Sequence, residues 1–250
     1  MERRSTQRWL LGRRWGQIGL VALWALCAAG QSLAKEPPQT ARSRAAVARV
    51  KDDLTALLSA KGLSWGSPVF IRLTKEPAIL EVWMRGVDGY SLAKSYPICA
   101  FSGLLGPKTR QGDLQAPEGV YSITSGRMNP WSDFHLSMNL GYPNEYDRGH
   151  GYTGQYLMIH GNCVSIGCYA MTDAGIDEIY SLVEAALRAG QQSVPVHAFP
   201  FPMTEANRAS RAEHPNAAFW SQLAPIWSAF ESDHEPPKVR VRNGQYELVK

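Results

Sequence analysis

The chain has 250 residues, 44% of them hydrophobic, which suits one or two domains with a sizeable buried core. Its formal net charge of +4 resides in residues 1–34, which hold five arginines and one glutamate. From Lys35 onward acidic and basic residues balance, which excludes the basic footprint of a nucleic-acid binder.

Residues 1–34 read as an export signal. Arg3, Arg4, Arg8, Arg13 and Arg14 form its positive region. Ile18 to Ala29 is apolar but shorter than a membrane span, and Ser32-Leu33-Ala34 has the small-x-small form of a cleavage site. An uncleaved N-terminal anchor is the alternative. Either way the chain is expected outside the cytoplasm, in an oxidising, periplasmic compartment and in contact with the envelope. With Cys27 set aside in the signal, Cys99, Cys163 and Cys168 remain. An odd count in an exported chain suggests one pair and one free thiol. Three reduced thiols remain the alternative, because spacing along a chain does not give the Cα separation that bridging demands.

Residues 35–65 read as a linker and an N-terminal helix. Two prolines lead in, and Val47, Val50, Leu54, Leu57 and Leu58 then recur at helical spacing over 44–60. A second region, 66–200, opens as a β-meander. Val69 to Leu73 and Ile79 to Met84 read as strands joined at Glu76-Pro77, and Asp88-Gly89 turns the chain into a third strand over 92–101. Ala116-Pro117-Glu118-Gly119 turns into a strand over 120–124. Residues 126–154 read as a loop rich in aromatics. Within it Tyr142, Arg148 and His150 are candidate substrate contacts, with Arg148 suited to a carboxylate. Asp173 to Ala189 reads as a helix capped by Thr172 or Asp173 and stopped by Gly190. Val194 to Ala198 reads as a strand carrying a structural His197. A C-terminal extension, 201–250, is expected to contain helices over 204–211 and 216–231 and a hairpin over 239–248 closed by Asn243-Gly244.

The centre of the chain is the run from Ile159 to Met171, which follows an apolar strand over 156–159. Cysteine nucleophiles need a base within reach and backbone donors for the oxyanion. Cys168 is the expected nucleophile, and His160 its general base. The N–H groups of Gly167 and Cys168 are the expected oxyanion donors, with Ser165 and Gly161 in support. The helix that follows is expected to favour the thiolate through its free N–H groups. If Cys168 is the nucleophile, a disulfide would join Cys99 to Cys163.

His160-Gly161 followed by Ser165-x-Gly167-Cys168 resembles the L,D-transpeptidase catalytic domain of the YkuD type, whose signature runs His-Gly…Ser-His-Gly-Cys. The short gap, the non-histidine residue before the glycine and Cys168-Tyr169-Ala170-Met171 are similar to a murein amidase branch of that family. Two positions depart from the wider pattern. Ile166 stands where most members have a second histidine, and Ala170 where many have a substrate-binding arginine or asparagine. The resemblance implies a mixed α+β fold, mostly β: a β-sandwich catalytic domain with flanking helices and a C-terminal helix-plus-hairpin extension. It also implies a cysteine acyl-transferase acting on peptidoglycan stem peptides through a Cys168 thioester. Water as acceptor gives an amidase that releases wall-linked lipoprotein; an amine acceptor gives a 3-3 cross-link or lipoprotein attachment. Carbapenems are expected to acylate such a thiol. Tyr169 joins the candidate substrate contacts.

Two other classes compete. His150, His160, Cys163 and Cys168 are a sound zinc ligand set, but their spacing fits no zinc module we can name, and no metal or cofactor is expected. Ile166 and Ala170 would also suit a wall-binding module that kept the fold and lost the chemistry.

Overall fold

Thr40 starts the first helix. Its hydroxyl accepts the Ser43 N–H while Ser43 Oγ accepts the Thr40 N–H, a capping box that opens α1 (Ala41–Ser59). The helix thus begins three residues before the sequence expectation, because a serine stands where the motif more often has Glu or Gln. The computed structural model describes residues 1–2 and 36–249, so the expected signal falls almost wholly outside the described residues. Among those residues no helix is long and apolar enough to cross a membrane.

The meander forms as expected: β1 (Val69–Thr74), β2 (Ile79–Gly86) and β3 (Gly89–Pro97) pair antiparallel in sequence. The third strand was expected to run on to residue 101. Instead the chain leaves the sheet after Pro97 and enters a second sheet as β4 (Ala100–Phe101). Proline has no N–H to continue a ladder. β5 (Gly119–Ile123) follows the Pro-Glu-Gly turn.

The region expected to be loop holds short elements: β6 (Met128–Asn129), β7 (Ser137–Asn139) and α2 (Glu145–Gly149). They are too brief to show a period. β8 (Met158–His160) and β9 (Tyr169–Ala170) flank the central loop. α3 (Asp173–Arg188) is capped by Thr172, whose hydroxyl accepts the Gly175 N–H. β10 (Val194–Phe199), α4 (Glu205–Ala209), α5 (Ala217–Asp233), β11 (Val239–Arg242) and β12 (Gln245–Leu248) complete the chain.

One sheet has the order β3-β2-β1-β10-β5, and the other β4-β9-β8-β7-β6. Only the β1–β10 and β8–β9 pairs are parallel. Ile71 and Val82 of the first sheet, Met138 and Ile159 of the second, Leu58 of α1 and Ile179 of α3 share one buried core. The fold is mixed α+β and mostly sheet, with helices at its flanks.

β1 is buried at every position rather than at alternate ones. Its second face is covered by α5, whose Phe230 sits 4.7 Å from the Phe70 ring. Arg72 on that face lies over Trp227 and pairs with Glu81 and Glu231. A second aromatic core joins Phe199, Phe201, Trp220, Trp227 and Tyr246, so the C-terminal segment is built onto the body. A buried ion pair ties them: Lys75 meets Glu118 at 2.9 Å, and Trp220 Nε1 donates to Glu118. Such a pair is costly to desolvate unless its remaining polar atoms are satisfied; here Leu104 O and Gly106 O also accept from Lys75. His197 is buried beside Phe70, as expected of a structural histidine.

Candidate active site

β8 and β9 run parallel with His160 opposite Ala170, so the loop between them must cross from one strand end to the other strand's beginning. Backbone hydrogen bonds anchor both ends. Gly161 N donates to Phe134 O, Met171 N to His160 O at 2.7 Å, and Cys163 N to Met171 O. Asp173, at the start of α3, accepts the Asn162 N–H at 2.7 Å. Asn162 and Cys163 both have positive φ, +66° and +48°, a conformation that non-glycine residues adopt sparingly. Cys163 is bonded to Cys99, with Cα atoms 5.3 Å apart, which fastens this tight turn to the segment joining the two sheets. Cys168 is the one free cysteine among the described residues.

Ser165 shapes the far end of the loop. Its hydroxyl donates to Cys168 O at 2.8 Å and accepts the Gly167 N–H at 3.2 Å. Gly167 has φ +141°, a conformation that favours glycine, and a Cβ there would press on the Leu157 side chain at 3.3 Å.

His160 and Cys168 border the same pocket, of about 460 Å³. His160 is 2% exposed. Its Nδ1 lies 2.6 Å from Gly161 O, and the Phe134 ring packs on it at 4.7 Å. A carbonyl only accepts, so Nδ1 carries the proton and Nε2 offers a lone pair. Burial lowers the His160 pKa below its ordinary value, against the pull of that hydrogen bond. The imidazole is therefore neutral near pH 7.

The thiol differs from the sequence expectation. Cys168 precedes β9 rather than α3, and burial pushes its pKa up, opposed by the Met158 N–H and the Lys108 charge. The end of α3 does not hold a thiolate; Cys168 rests as a thiol and donates to Tyr156 O at 3.6 Å. The Gly167 N–H is likewise engaged by Ser165, leaving the Cys168 N–H as the remaining donor of the expected oxyanion pair.

The candidate substrate contacts separate. Tyr169 is fully buried and donates to Pro117 O at 2.6 Å, so it packs the interior instead of lining the pocket. His150 stacks on Tyr146 at 4.1 Å, and its ring carbon comes near Gly244 of the C-terminal hairpin. Tyr142 and Arg148 line an adjoining pocket. The zinc set is dispersed: Cys163 is disulfide-bonded and His150 lies on Tyr146. Ala170 is fully buried between β4 and β8, while Ile166, 80% exposed, lines the pocket's rim.

Sequence reasoning missed Lys108, Leu114, Phe134 and Tyr156 as pocket walls, and Asp173 as the anchor of the loop. Lys108, Leu114 and Phe134 lie in aperiodic segments that only the fold brings to the site; Tyr156, expected to start a strand, lies just before β8 instead. Asp173 was legible as a helix-start residue, not as a partner of Asn162.

The family described as "YkuD: L,D-transpeptidase catalytic domain" matches residues 74–211. YafK of Escherichia coli (strain K12) is 50% identical over 185 residues, covering 74% of this chain and 75% of the relative. YafK of Escherichia coli O157:H7 matches to the same extent. Among solved structures, the K307A mutant of the helical cell shape determining protein Pgp2 from Campylobacter jejuni is 20% identical with a TM-score of 0.45, covering 70% of this chain and 62% of that one. The likeness is too distant to carry an argument about the site. The matched span and the identity to YafK place the chain: it belongs to the YkuD family of L,D-transpeptidase catalytic domains, enzymes of peptidoglycan.

Proposed function

We propose that this chain is an exported, periplasmic cysteine acyl-transferase that cleaves the amide between a peptidoglycan diamino acid and a wall-linked lipoprotein. The observation that carries the reading is one pocket bordered by both a neutral His160, with Nε2 unprotonated, and the free thiol of Cys168. His160 Nε2 takes the thiol proton. The sulfur attacks the carbonyl at the L-centre of the diamino acid, and the Cys168 N–H supports the oxyanion. The C–N bond breaks, and the imidazolium returns its proton to the leaving lysine amine. Water then attacks the thioester, with His160 as base, and the sulfur leaves with the proton. A raised thiol pKa suits this order, since the proton moves only when substrate is in place.

Choice of water over an amine rests on the Cys168-Tyr169-Ala170-Met171 resemblance to the murein amidase branch. Membership of a transpeptidase family favours a second reading, in which another stem's amine resolves the same thioester and makes a 3-3 cross-link. Mass spectrometry of muropeptides separates the two after incubation with lipoprotein-bearing peptidoglycan, with Cys168→Ala in parallel. Loss of the lipoprotein-derived remnant, leaving tripeptide stems, supports the amidase. New dimers linked between two diamino acids support the transpeptidase. No Cys168-dependent change defeats both.

A further inference from the structure

A second pocket, of about 490 Å³, adjoins the first; Tyr156 and Met158 border both. Its polar lining is biased. Arg127 and Arg148 reach it, and among the described residues no aspartate or glutamate does. Neither arginine has a carboxylate partner among the described residues. Arg127 donates through one nitrogen to Ser122 O and Oγ, and Arg148 through one nitrogen to Pro143 O. Each guanidinium carries five N–H donors, so most remain to be used.

Two asparagines strengthen the bias. Asn129 Oδ1 accepts the Trp131 N–H, and Asn139 Oδ1 accepts the Gly141 N–H at 2.7 Å. One lone pair of each oxygen is engaged, and each NH₂ group has two donors to offer. The backbone also makes room for the charge: Gly141 has φ +82°, and a Cβ there would collide with the Arg127 guanidinium. A pocket furnished with donors and cations, and bordered by no acid, is complementary to an anion with several acceptor oxygens.

We infer that this second pocket is a carboxylate subsite, in which Arg127 and Arg148 hold the free carboxylate at the far stereocentre of the diamino acid whose other carbonyl meets Cys168. The inference rests on the proposed reaction for the identity of the substrate. The wall shared by the two pockets is the segment whose Tyr156 O receives the Cys168 S–H. A diamino diacid has its two carboxyl carbons on one short chain, so one can react while the other is gripped. The arginines would thereby take up the substrate recognition that the wider family pattern assigns to the position of Ala170.

The test uses two synthetic stem peptides, one with that carboxylate free and one with it converted to carboxamide. Turnover is measured for the mature wild-type chain, Arg148→Gln, Arg148→Lys and Arg127→Gln. Binding to a Cys168→Ala background is measured by calorimetry with and without Arg148→Gln. Wild type is expected to prefer the carboxylate by about 10- to 100-fold in kcat/KM, through KM. Arg148→Gln is expected to remove most of that preference by lowering kcat/KM for the carboxylate peptide far more than for the carboxamide; Arg148→Lys restores part of it. A merely structural arginine would depress both peptides alike. Equal turnover of the two peptides by wild type, with turnover still dependent on Cys168, overturns the subsite and leaves the reaction standing. If neither peptide is turned over, the reaction fails, and calorimetry decides the subsite alone. Tighter carboxylate binding that Arg148→Gln abolishes supports it; equal binding of the two peptides overturns it.

Discussion

His160 Nδ1 lies 2.6 Å from Gly161 O, the carbonyl of the very next residue. This contact settles the tautomer locally and points the lone pair of Nε2 away from the backbone. It also supplies the orienting group that in many catalytic dyads comes from a third side chain. Burial opposes the cation and lowers the His160 pKa from 6.5. The proposed reaction needs the neutral ring, so activity should be lost as pH falls through the folded pKa. The acid limb of kcat/KM should therefore have an apparent pKa below 6.5. His160→Gln should cut kcat/KM by about 10²- to 10⁴-fold, and an acid limb centred above 7 would contradict the assignment.

Cys168→Ala should abolish turnover while leaving the thermal midpoint within a few degrees of wild type. The side chain is small, and its hydrogen bond to Tyr156 O is long at 3.6 Å. Intact-protein mass spectrometry after exposure to a carbapenem should show one adduct in wild type and none in the variant. An adduct that persists in Cys168→Ala would locate the reactive group elsewhere.

The bond between Cys99 and Cys163 spans 64 residues of chain, so its loss should cost about 4 kcal/mol in a chain-entropy account. A Cys99→Ser, Cys163→Ser double variant should unfold at lower denaturant concentration. It should also lose activity below its midpoint, because Cys163 stands three residues from His160 in the loop that also carries Asn162. Equal midpoints with and without reductant would show that the bridge contributes little.

Gly167→Ala should destabilise the chain by about 1–3 kcal/mol, since the residue sits at φ +141° and its Cβ would press on Leu157 at 3.3 Å. The same change should displace the Cys168 N–H and lower kcat more than it raises KM. Urea titration and steady-state kinetics on one preparation measure both.

His197 offers a test away from the site. Burial, then the charge of Arg72, pushes its pKa down to about 3 from 6.5. Between those values the unfolded chain binds a proton that the folded chain does not. Stability should consequently fall as pH drops below 6.5, by roughly 1.4 kcal/mol per pH unit from this group. A His197→Gln variant should lose that part of the slope in denaturant titrations between pH 7 and pH 5. An unaltered slope would mean that His197 is protonated in the folded chain.

Local order was legible wherever one residue's neighbours along the chain determine its state. The helical spacing of Leu54 and Leu58, the turn at Asp88-Gly89 and the hairpin at Asn243-Gly244 all produced elements close to where the pattern put them. The His160…Cys168 signature was legible for the same reason: one strand, one turn and the next strand hold both residues. What the sequence by itself determined is thus the set of local elements, the family, and the placing of His160 and Cys168 at the two ends of one loop. Tertiary structure alone decided the rest, because the remaining relations join residues far apart in the chain. The break after Pro97 divides one apparent strand between two sheets, and α5 buries the second face of β1. Lys108, Phe134 and Tyr156 come from separate segments to form one pocket, and Arg127 and Arg148 meet at the next. Burial then reversed the expected state of Cys168: its solvation depends on what the whole fold places around it, and no window of sequence contains that information.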